Sequence, residues 1–148
     1  MELSSTQDTK NFSEKISRII SKGDIIFLYG EIGVGKTTLV RHFINHLENQ
    51  NKIKNSDVLS PTFNIIYDYS VGNLKILHYD LYRLKNHNDM LELRIFEDSE
   101  NSIKIIEWPE LIKIKPRNRI EISFKYTKFE NSRKIKTSRF GDCKNYTF

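Results

Sequence analysis

The chain lacks the residue patterns that would place it outside the cell or in a membrane. It has a single cysteine, Cys143, among 148 residues, which excludes an internal disulfide and is typical of a reducing compartment. No apolar run approaches the ~18 residues of a membrane span, and residues 1–10 lack the apolar segment of a secretory signal. We therefore expect a soluble, cytoplasmic protein with no membrane partner.

The sequence has no internal repeat, and its length suits a single domain. Nine Phe, seven Tyr and one Trp supply enough core-forming side chains to argue against disorder. The net charge of +5 would suit an acidic partner such as RNA, although the joint abundance of Lys, Asn and Ile also fits an ordinary solvated surface. We expect one folded domain over residues 1–138 and a loosely ordered tail at 139–148.

Helix-like and strand-like hydrophobic patterns alternate along the chain, which predicts an α/β fold. Two alternating runs flank Gly72 and predict a β-hairpin, so the sheet should mix parallel and antiparallel strands, flanked by helices. Asp8 or Thr9 is the expected N-cap of the first helix, and Gly23 is placed to end it. The predicted elements are helices at 12–20, 35–47 and 89–96, strands at 25–29, 63–69, 74–80, 103–106 and 120–124, a polar linker at 49–57, and a possible edge strand from 134 onward.

The segment GEIGVGKT at 30–37 matches the pattern G-x-x-x-x-G-K-[ST] of phosphate-binding loops completely. It lies between a predicted buried strand and a predicted amphipathic helix, which is the setting of that loop in P-loop NTPase-like domains. Glycines let backbone N–H groups face the phosphates, and the helix N-terminus adds its positive dipole end. Lys36 is expected to reach the β- and γ-phosphates, and the Thr37 hydroxyl to bind Mg²⁺. The predicted nucleotide-binding residues are Gly30, Glu31, Ile32, Gly33, Val34, Gly35, Lys36, Thr37 and Thr38.

Hydrolysis needs more than a phosphate loop, and carboxylates at strand ends are candidates for the rest. Asp80 and Glu107 each end a predicted strand, where either can hold the Mg²⁺ shell or orient the attacking water. The alternative for each is a solvated cap. Thr62 lies in a segment where switch loops occur, and it can contact Mg²⁺ or the γ-phosphate, or simply belong to a turn that leads into a strand.

Four segments, in this order and in a chain this short, resemble the TsaE family of bacterial ATPases, which are needed to form threonylcarbamoyladenosine in tRNA. They are GEIGVGKTT at 30–38, SPTF at 60–63, HYDLYR at 78–83 and IEWPE at 106–110, and the resemblance covers residues 12–124. It implies a compact α/β ATPase that binds ATP and Mg²⁺ and hydrolyses ATP weakly. It also implies two partner proteins, TsaB and TsaD, whose complex modifies adenosine 37 of tRNA and would be this chain's indirect link to tRNA.

The resemblance also implies roles for individual residues. Lys36 and Thr37 would bind nucleotide and metal, and Thr62 would be a switch threonine. Glu107 would join Thr37 at the metal, and Asp80 and Glu107 would be the metal-shell and hydrolytic carboxylates. Trp108 would be a functional tryptophan, although a buried Trp is otherwise more often part of the core. Tyr82 and Arg83 would face the partner or the nucleotide; the alternative for them is an aromatic residue packed on the sheet and a surface cation.

The chain departs from the family pattern at two places, and two other functions compete with this interpretation. Arg94 stands where the family commonly has Gly, and residues after Arg133 match no family pattern. A small-molecule kinase would share the phosphate loop, but no Arg-rich lid segment lies between Asp89 and Lys104. A nucleotide-gated binding module with negligible turnover is the third possibility.

Overall fold

The computed structural model describes residues 1–97 and 99–148, and within these residues the chain forms one seven-stranded sheet with helices on both faces. The elements are β1 (Glu2–Leu3), α1 (Thr6–Ile19), β2 (Ile25–Tyr29), α2 (Lys36–Gln50), β3 (Ile66–Val71), β4 (Leu74–Asp80), α3 (His87–Glu92), β5 (Ser102–Glu107), β6 (Arg119–Tyr126) and β7 (Arg133–Phe140). Short 3₁₀ helices occupy Ser99–Asn101, Pro109–Leu111 and Gly141–Asn145. No described helix is long and apolar enough to cross a bilayer.

The strand order is β1-β7-β6-β2-β5-β4-β3, with β2 at the centre. β2 pairs in parallel with β5 and β6, and β5 pairs in parallel with β4. The β3–β4, β6–β7 and β1–β7 pairs are antiparallel, which confirms the predicted mixed sheet. The carboxyl ends of β2, β4 and β5 therefore meet at one edge of the sheet, where Asp80 lies directly opposite Glu107.

The two faces of the sheet bury separate hydrophobic clusters because successive side chains on a strand point to opposite sides. α1 and α2 cover one face, where Phe43 and Ile44 of α2 pack against β-strand side chains such as Ile26 and Leu28. The other face is covered by α3 and the segments that follow β4 and β5. Its buried residues are Ile25, Phe27, Tyr79, Leu81, Met90, Ile95, Ile106 and Ile112.

The first helix begins earlier than the sequence predicted. Ser5, with extended backbone angles, is its N-cap, and its hydroxyl accepts a hydrogen bond from the Asp8 backbone N–H at 3.1 Å. The Asp8 carboxylate in turn accepts from the Ser4 N–H at 3.0 Å. The prediction of Asp8 or Thr9 as the cap was wrong, because Asp8 lies inside the first turn, where its N–H donates to the Ser5 hydroxyl and its carboxylate accepts from the Ser4 N–H.

α3 spans His87–Glu92 instead of residues 89–96, and the predicted boundaries of α2 and of the first hairpin strand were also wrong. α2 continues to Gln50, so the start of the predicted polar linker is helical. The first hairpin strand starts at Ile66 instead of residue 63, and the preceding Ile65 has a left-handed φ of 64° that interrupts the extended conformation. Both boundaries are set by backbone geometry that hydrophobic periodicity does not report.

Residues 139–148, expected from the sequence to be a loosely ordered tail, are packed against the body of the protein. Arg139 and Phe140 end β7, and Cys143 is fully buried. The Tyr146 hydroxyl donates to the Asp24 carboxylate, and the Phe148 ring lies 5.8 Å from that of Phe12. The segment is held by apolar burial that its mostly polar sequence did not reveal.

Candidate nucleotide-binding site

The phosphate loop after β2 depends on glycine at points where the backbone turns sharply. Gly30, Gly33 and Gly35 have φ values of 138°, 74° and 113°, in the region that side chains disfavour. A Cβ at Gly30 would lie 2.8 Å from the Phe124 carbonyl oxygen. Gly35 is the N-cap of α2, and no side chain among the described residues caps that helix. The loop thus leaves the positive end of α2 open to an anionic group.

Two side chains from the far half of the sheet brace this loop. The Tyr126 hydroxyl donates to the Ile32 carbonyl at 2.8 Å, and Arg133 Nε donates to the Val34 carbonyl at 3.1 Å. The Arg133 guanidinium also lies 4.7 Å from the centroid of the Tyr126 ring. Sequence reasoning missed both residues, since they lie at strand ends outside every recognised motif.

Lys36 is the cation of the site and is almost fully buried, at 4% exposure. Its Nζ donates to the carbonyls of Gly30 at 2.7 Å and Glu31 at 3.0 Å, and lies 4.0 Å from the Trp108 ring centroid. Burial lowers the pKa of Lys36 below its ordinary value, and the negative charges of Glu107, Asp80 and Glu110 oppose that shift. The ammonium is therefore held over the loop by backbone oxygens and an aromatic face.

Glu107, at the end of β5, connects the phosphate loop to the sheet. Its Oε1 accepts the Thr37 hydroxyl at 2.8 Å and lies 2.9 Å from Nε2 of His78. Both Glu107 and His78 are buried, at 2% and 0% exposure. The carboxylate is thus fixed beside the threonine that the phosphate-loop motif assigns to Mg²⁺.

Asp80, at the end of β4, forms hydrogen bonds with the predicted switch segment. Its Oδ2 accepts the hydroxyls of Ser60 at 2.7 Å and Thr62 at 3.0 Å, and those two hydroxyls lie 2.8 Å apart. Its Oδ1 accepts the backbone N–H of Tyr82 at 3.0 Å. Asp80 is nearly buried, so it ties residues 60–62 to the same sheet edge as Glu107.

These groups line one pocket of about 260 Å³ at the carboxyl edge of the parallel strands. Its lining residues are Ile32, Gly33, Gly35, Lys36, Thr37, Thr38, Ser60, Thr62, Asp80, Tyr82, Glu107 and Trp108. Trp108 reaches it from a left-handed backbone position with φ of 57°, and its ring lies 4.8 Å from that of Tyr82. The pocket combines a glycine-rich loop, a cation and two carboxylates, groups that are chemically able to hold phosphates and a hard metal ion.

Comparison with known proteins shows the family of this chain. The model of the family described as "Threonylcarbamoyl adenosine biosynthesis protein TsaE" matches residues 3–135. The chain belongs to the TsaE family. Among curated TsaE-family relatives, "tRNA threonylcarbamoyladenosine biosynthesis protein TsaE" of Rickettsia typhi is 38% identical over 111 residues, covering 75% of this chain and 74% of its own. The protein of the same name from Nostoc is 32% identical over 142 residues, covering 93% and 84%.

A solved structure extends the agreement to the fold. The crystal structure of YdiB from Bacillus subtilis aligns with a TM-score of 0.71 and 25% identity, covering 99% of this chain and 86% of that one. Nearly the whole chain is included in this structural alignment, and so is the segment after residue 135, which lies beyond the TsaE family match. The α/β fold predicted from the sequence is therefore confirmed.

Most residues predicted for the site in this TsaE-family chain do converge. Of the non-loop candidates, Thr62, Asp80, Tyr82, Glu107 and Trp108 all line the pocket, whereas Arg83 does not. The Arg83 guanidinium instead lies 4.0 Å from the ring centroid of Phe63, outside the lining. Within the phosphate loop, Gly30, Glu31 and Val34 also lie outside the lining. The carbonyls of Gly30 and Glu31 accept hydrogen bonds from Lys36.

A second cavity, missed by sequence reasoning, adjoins the first. It measures about 510 Å³ and shares Gly33, Gly35 and Thr38 with the phosphate pocket. Ser5 and Arg133 are among its other lining residues, so the N-terminus of α1 and the start of β7 form its far wall. Only the folded arrangement of three distant chain segments reveals it.

The oxygen groups at the pocket suit Mg²⁺ better than a soft metal. Among the described residues, no group of three or more His, Cys, Asp or Glu is arranged so that it could hold a metal ion, so that part of the chain forms no closed protein cage for a metal. Mg²⁺ commonly binds through one or two protein oxygens together with substrate phosphates and water. The Thr37 hydroxyl and the Glu107 carboxylate, with Asp80 nearby, fit that mode.

Proposed function

We propose that this chain is the ATPase component of the machinery that forms N6-threonylcarbamoyladenosine at position 37 of tRNA. In this role it binds ATP with Mg²⁺ and supports turnover of the complex of TsaB and TsaD. The observation that carries the proposal is the meeting of Lys36, Thr37, Asp80 and Glu107 in one pocket of a TsaE-family chain. The chain does not transfer the threonylcarbamoyl group itself and reaches tRNA through its partners.

The phosphates would lie in the loop, with the nucleoside in the adjoining cavity. Backbone N–H groups and the open end of α2 supply the anion-binding surface. Lys36 would exchange its bonds to the Gly30 and Glu31 carbonyls for bonds to the β- and γ-phosphates. The cavity of about 510 Å³ is of ordinary size for a small-molecule site and shares its wall with the loop.

Thr37 and Glu107 would hold the metal, and Asp80 would act beside them. Mg²⁺, when bound, neutralises charge that develops on the phosphates. Thr62 shares Asp80 with Ser60, so a γ-phosphate that engaged Thr62 would alter the hydrogen bonds that hold this segment. GTPase switch segments are ordered by the γ-phosphate in a comparable way.

Weak intrinsic hydrolysis is consistent with the charges around the pocket. Lys36 is the one cationic side chain in its described lining, whereas fast phosphoryl transfer commonly needs a further Arg, supplied in cis or by a partner. Ile32 and Tyr82 in the lining, with nearby Phe63, are exposed by 68%, 50% and 81%. Exposed aromatic and aliphatic side chains at the mouth of a site suit a protein partner.

The experiment is ATP hydrolysis by the purified chain, alone and with TsaB and TsaD, together with a pull-down in the presence and absence of ATP. Slow hydrolysis that rises with the partners, and nucleotide-dependent co-purification, are the expected results. Asp80→Ala and Glu107→Ala should still bind ATP but fail to support turnover, with exposed Lys10→Ala as the control. Unchanged hydrolysis together with no co-purification would refute the proposal, and full support of turnover by both variants would favour a binding module.

A further inference from the structure

His78 is a buried polar side chain that no part of the proposed function yet uses. It lies on β4 two residues before Asp80, so both side chains point to the same face of the sheet. It is fully buried, although an imidazole in an apolar interior loses hydration unless it finds a partner. Its partner is Glu107 of the neighbouring strand.

The hydrogen bond between these residues fixes which ring nitrogen carries the hydrogen. Nε2 lies 2.9 Å from Glu107 Oε1, and a carboxylate oxygen is an acceptor, so Nε2–H is the donor. The other ring nitrogen, Nδ1, has no hydrogen-bond partner among the described residues. Because a buried polar atom without a partner costs stability, the unpaired Nδ1 indicates that the His78–Glu107 hydrogen bond has a functional role.

The bond determines how the Glu107 carboxylate is turned. Its Oε1 is occupied by two donors, His78 and the Thr37 hydroxyl at 2.8 Å. No described residue donates a hydrogen bond to Oε2, and Glu107 lines the nucleotide pocket. Two donors on one oxygen restrict rotation about the last torsion of the side chain and leave the second oxygen for other ligands.

We infer that His78 is a positioning residue that orients Glu107 for the metal, an inference that rests on the function proposed above. It holds Oε1 from the sheet side while Thr37 holds it from the loop side, so that the carboxylate keeps one orientation as nucleotide and Mg²⁺ bind. Residues that orient a metal-binding side chain in this way commonly change metal affinity by about 10- to 100-fold when they are replaced.

The test compares His78→Leu, which removes the donor, with His78→Gln, whose amide can donate from a similar position. Mg²⁺ is titrated while binding of a fluorescent ATP analogue is followed, and kcat and KM for hydrolysis are measured separately. His78→Leu should raise the Mg²⁺ concentration for half-saturation by about tenfold or more. Nucleotide binding without Mg²⁺ should change little, and His78→Gln should recover most of the loss.

Ile76→Val is the matched control, because Ile76 is equally buried on the same face of β4. It should lower stability slightly and leave the Mg²⁺ dependence unchanged. A wild-type Mg²⁺ dependence in His78→Leu would overturn the inference. So would a His78→Gln variant that is as stable as wild type yet as impaired as His78→Leu.

Imidazole NMR of the protein without nucleotide separates this inference from the proposed function. Long-range ¹H–¹⁵N spectra should show His78 in the Nε2–H form, and Glu107→Ala should change its ring shifts. A ring without hydrogen on Nε2 would overturn the inference alone. Absence of any Mg²⁺-dependent nucleotide binding in the wild-type protein would overturn the proposed function, even if the hydrogen bond were present.

Discussion

Replacing Arg94 with glycine should stabilise the protein, although it removes an ion-pairing side chain. α3 ends at Glu92, Leu93 is its C-cap, and Arg94 follows with a left-handed φ of 48°. The Arg94 N–H donates to the Leu91 carbonyl at 3.1 Å, so the turn depends on this conformation. Glycine is the usual residue at this point after a helix because it adopts such angles without strain.

The magnitude follows from three opposing contributions. A left-handed conformation costs a residue with a side chain about 1–2 kcal/mol. Glycine's larger freedom in the unfolded chain offsets about 0.4–1 kcal/mol of that. The Arg94–Glu97 pair is 3.8 Å apart and well exposed on both sides, so its loss costs at most about 0.5 kcal/mol. The expected net gain for Arg94→Gly is about 0.5 kcal/mol, or roughly 1–2 °C in Tm for a domain of this size.

The assay is urea unfolding followed by the fluorescence of Trp108, the single tryptophan of the chain, with thermal unfolding by circular dichroism as a second probe. Arg94→Ala is the matched control, because it also removes the ion pair but keeps the strained φ. It should be equal to or slightly less stable than the wild-type protein. If Arg94→Gly is no more stable than Arg94→Ala, the strain argument is wrong.

Two further predictions concern the phosphate loop and the buried thiol. Gly30→Ala should destabilise the fold by roughly 2–4 kcal/mol in urea unfolding, because its Cβ would meet the Phe124 carbonyl at 2.8 Å. Gly72→Ala is the control: the nearest atom is 3.6 Å away, so the substitution should cost about 1 kcal/mol. Equal losses of stability in the two variants would contradict the prediction. Burial, followed by the charge of Asp24, raises the pKa of Cys143 to about 12, so the thiol should react with a disulfide reagent at pH 8 far more slowly in the native than in the unfolded protein. Because the native protein favours the protonated thiol, this contribution to stability is fully present below the ordinary pKa of 9.0 and is lost as pH rises toward 12. Cys143→Ala should therefore reduce the decline of the unfolding free energy between these two pH values. An unchanged slope would count against this prediction.

The phosphate loop and the strand ends were predictable because their residue types are dictated by chemistry and local backbone. The glycines of the loop are needed for positive φ. Asp80 ends an alternating run and Glu107 follows a short apolar run, and both patterns are typical of strands. Once β4 and β5 lie side by side in parallel, the two carboxylates must face each other across one edge. Motif and hydrophobic pattern together therefore located the centre of the candidate site.

The surroundings of the site were not predictable, since they depend on contacts between distant segments. Tyr126 ends β6 and Arg133 starts β7, and only the fold brings them within hydrogen-bond distance of the loop. Ser5 lines the second cavity because α1 starts there. His78 looked like one of the alternating residues of a strand until Glu107 was placed beside it. Arg83 lies inside a recognised segment but outside the pocket lining, over the Phe63 ring, so its predicted role toward a partner stays a prediction.

The most direct test of the central claim is calorimetric titration of ATP with Mg²⁺ into the wild-type protein and into Lys36→Ala. Lys36 is buried against two loop carbonyls and the Trp108 ring, and in the proposed function it binds the β- and γ-phosphates. The wild-type protein should bind ATP in a Mg²⁺-dependent manner. Lys36→Ala should lose about 2–4 kcal/mol, or roughly 30- to 1,000-fold in Kd, while the exposed control Lys10→Ala binds like the wild type. Equal affinity of Lys36→Ala and wild-type protein would contradict the account.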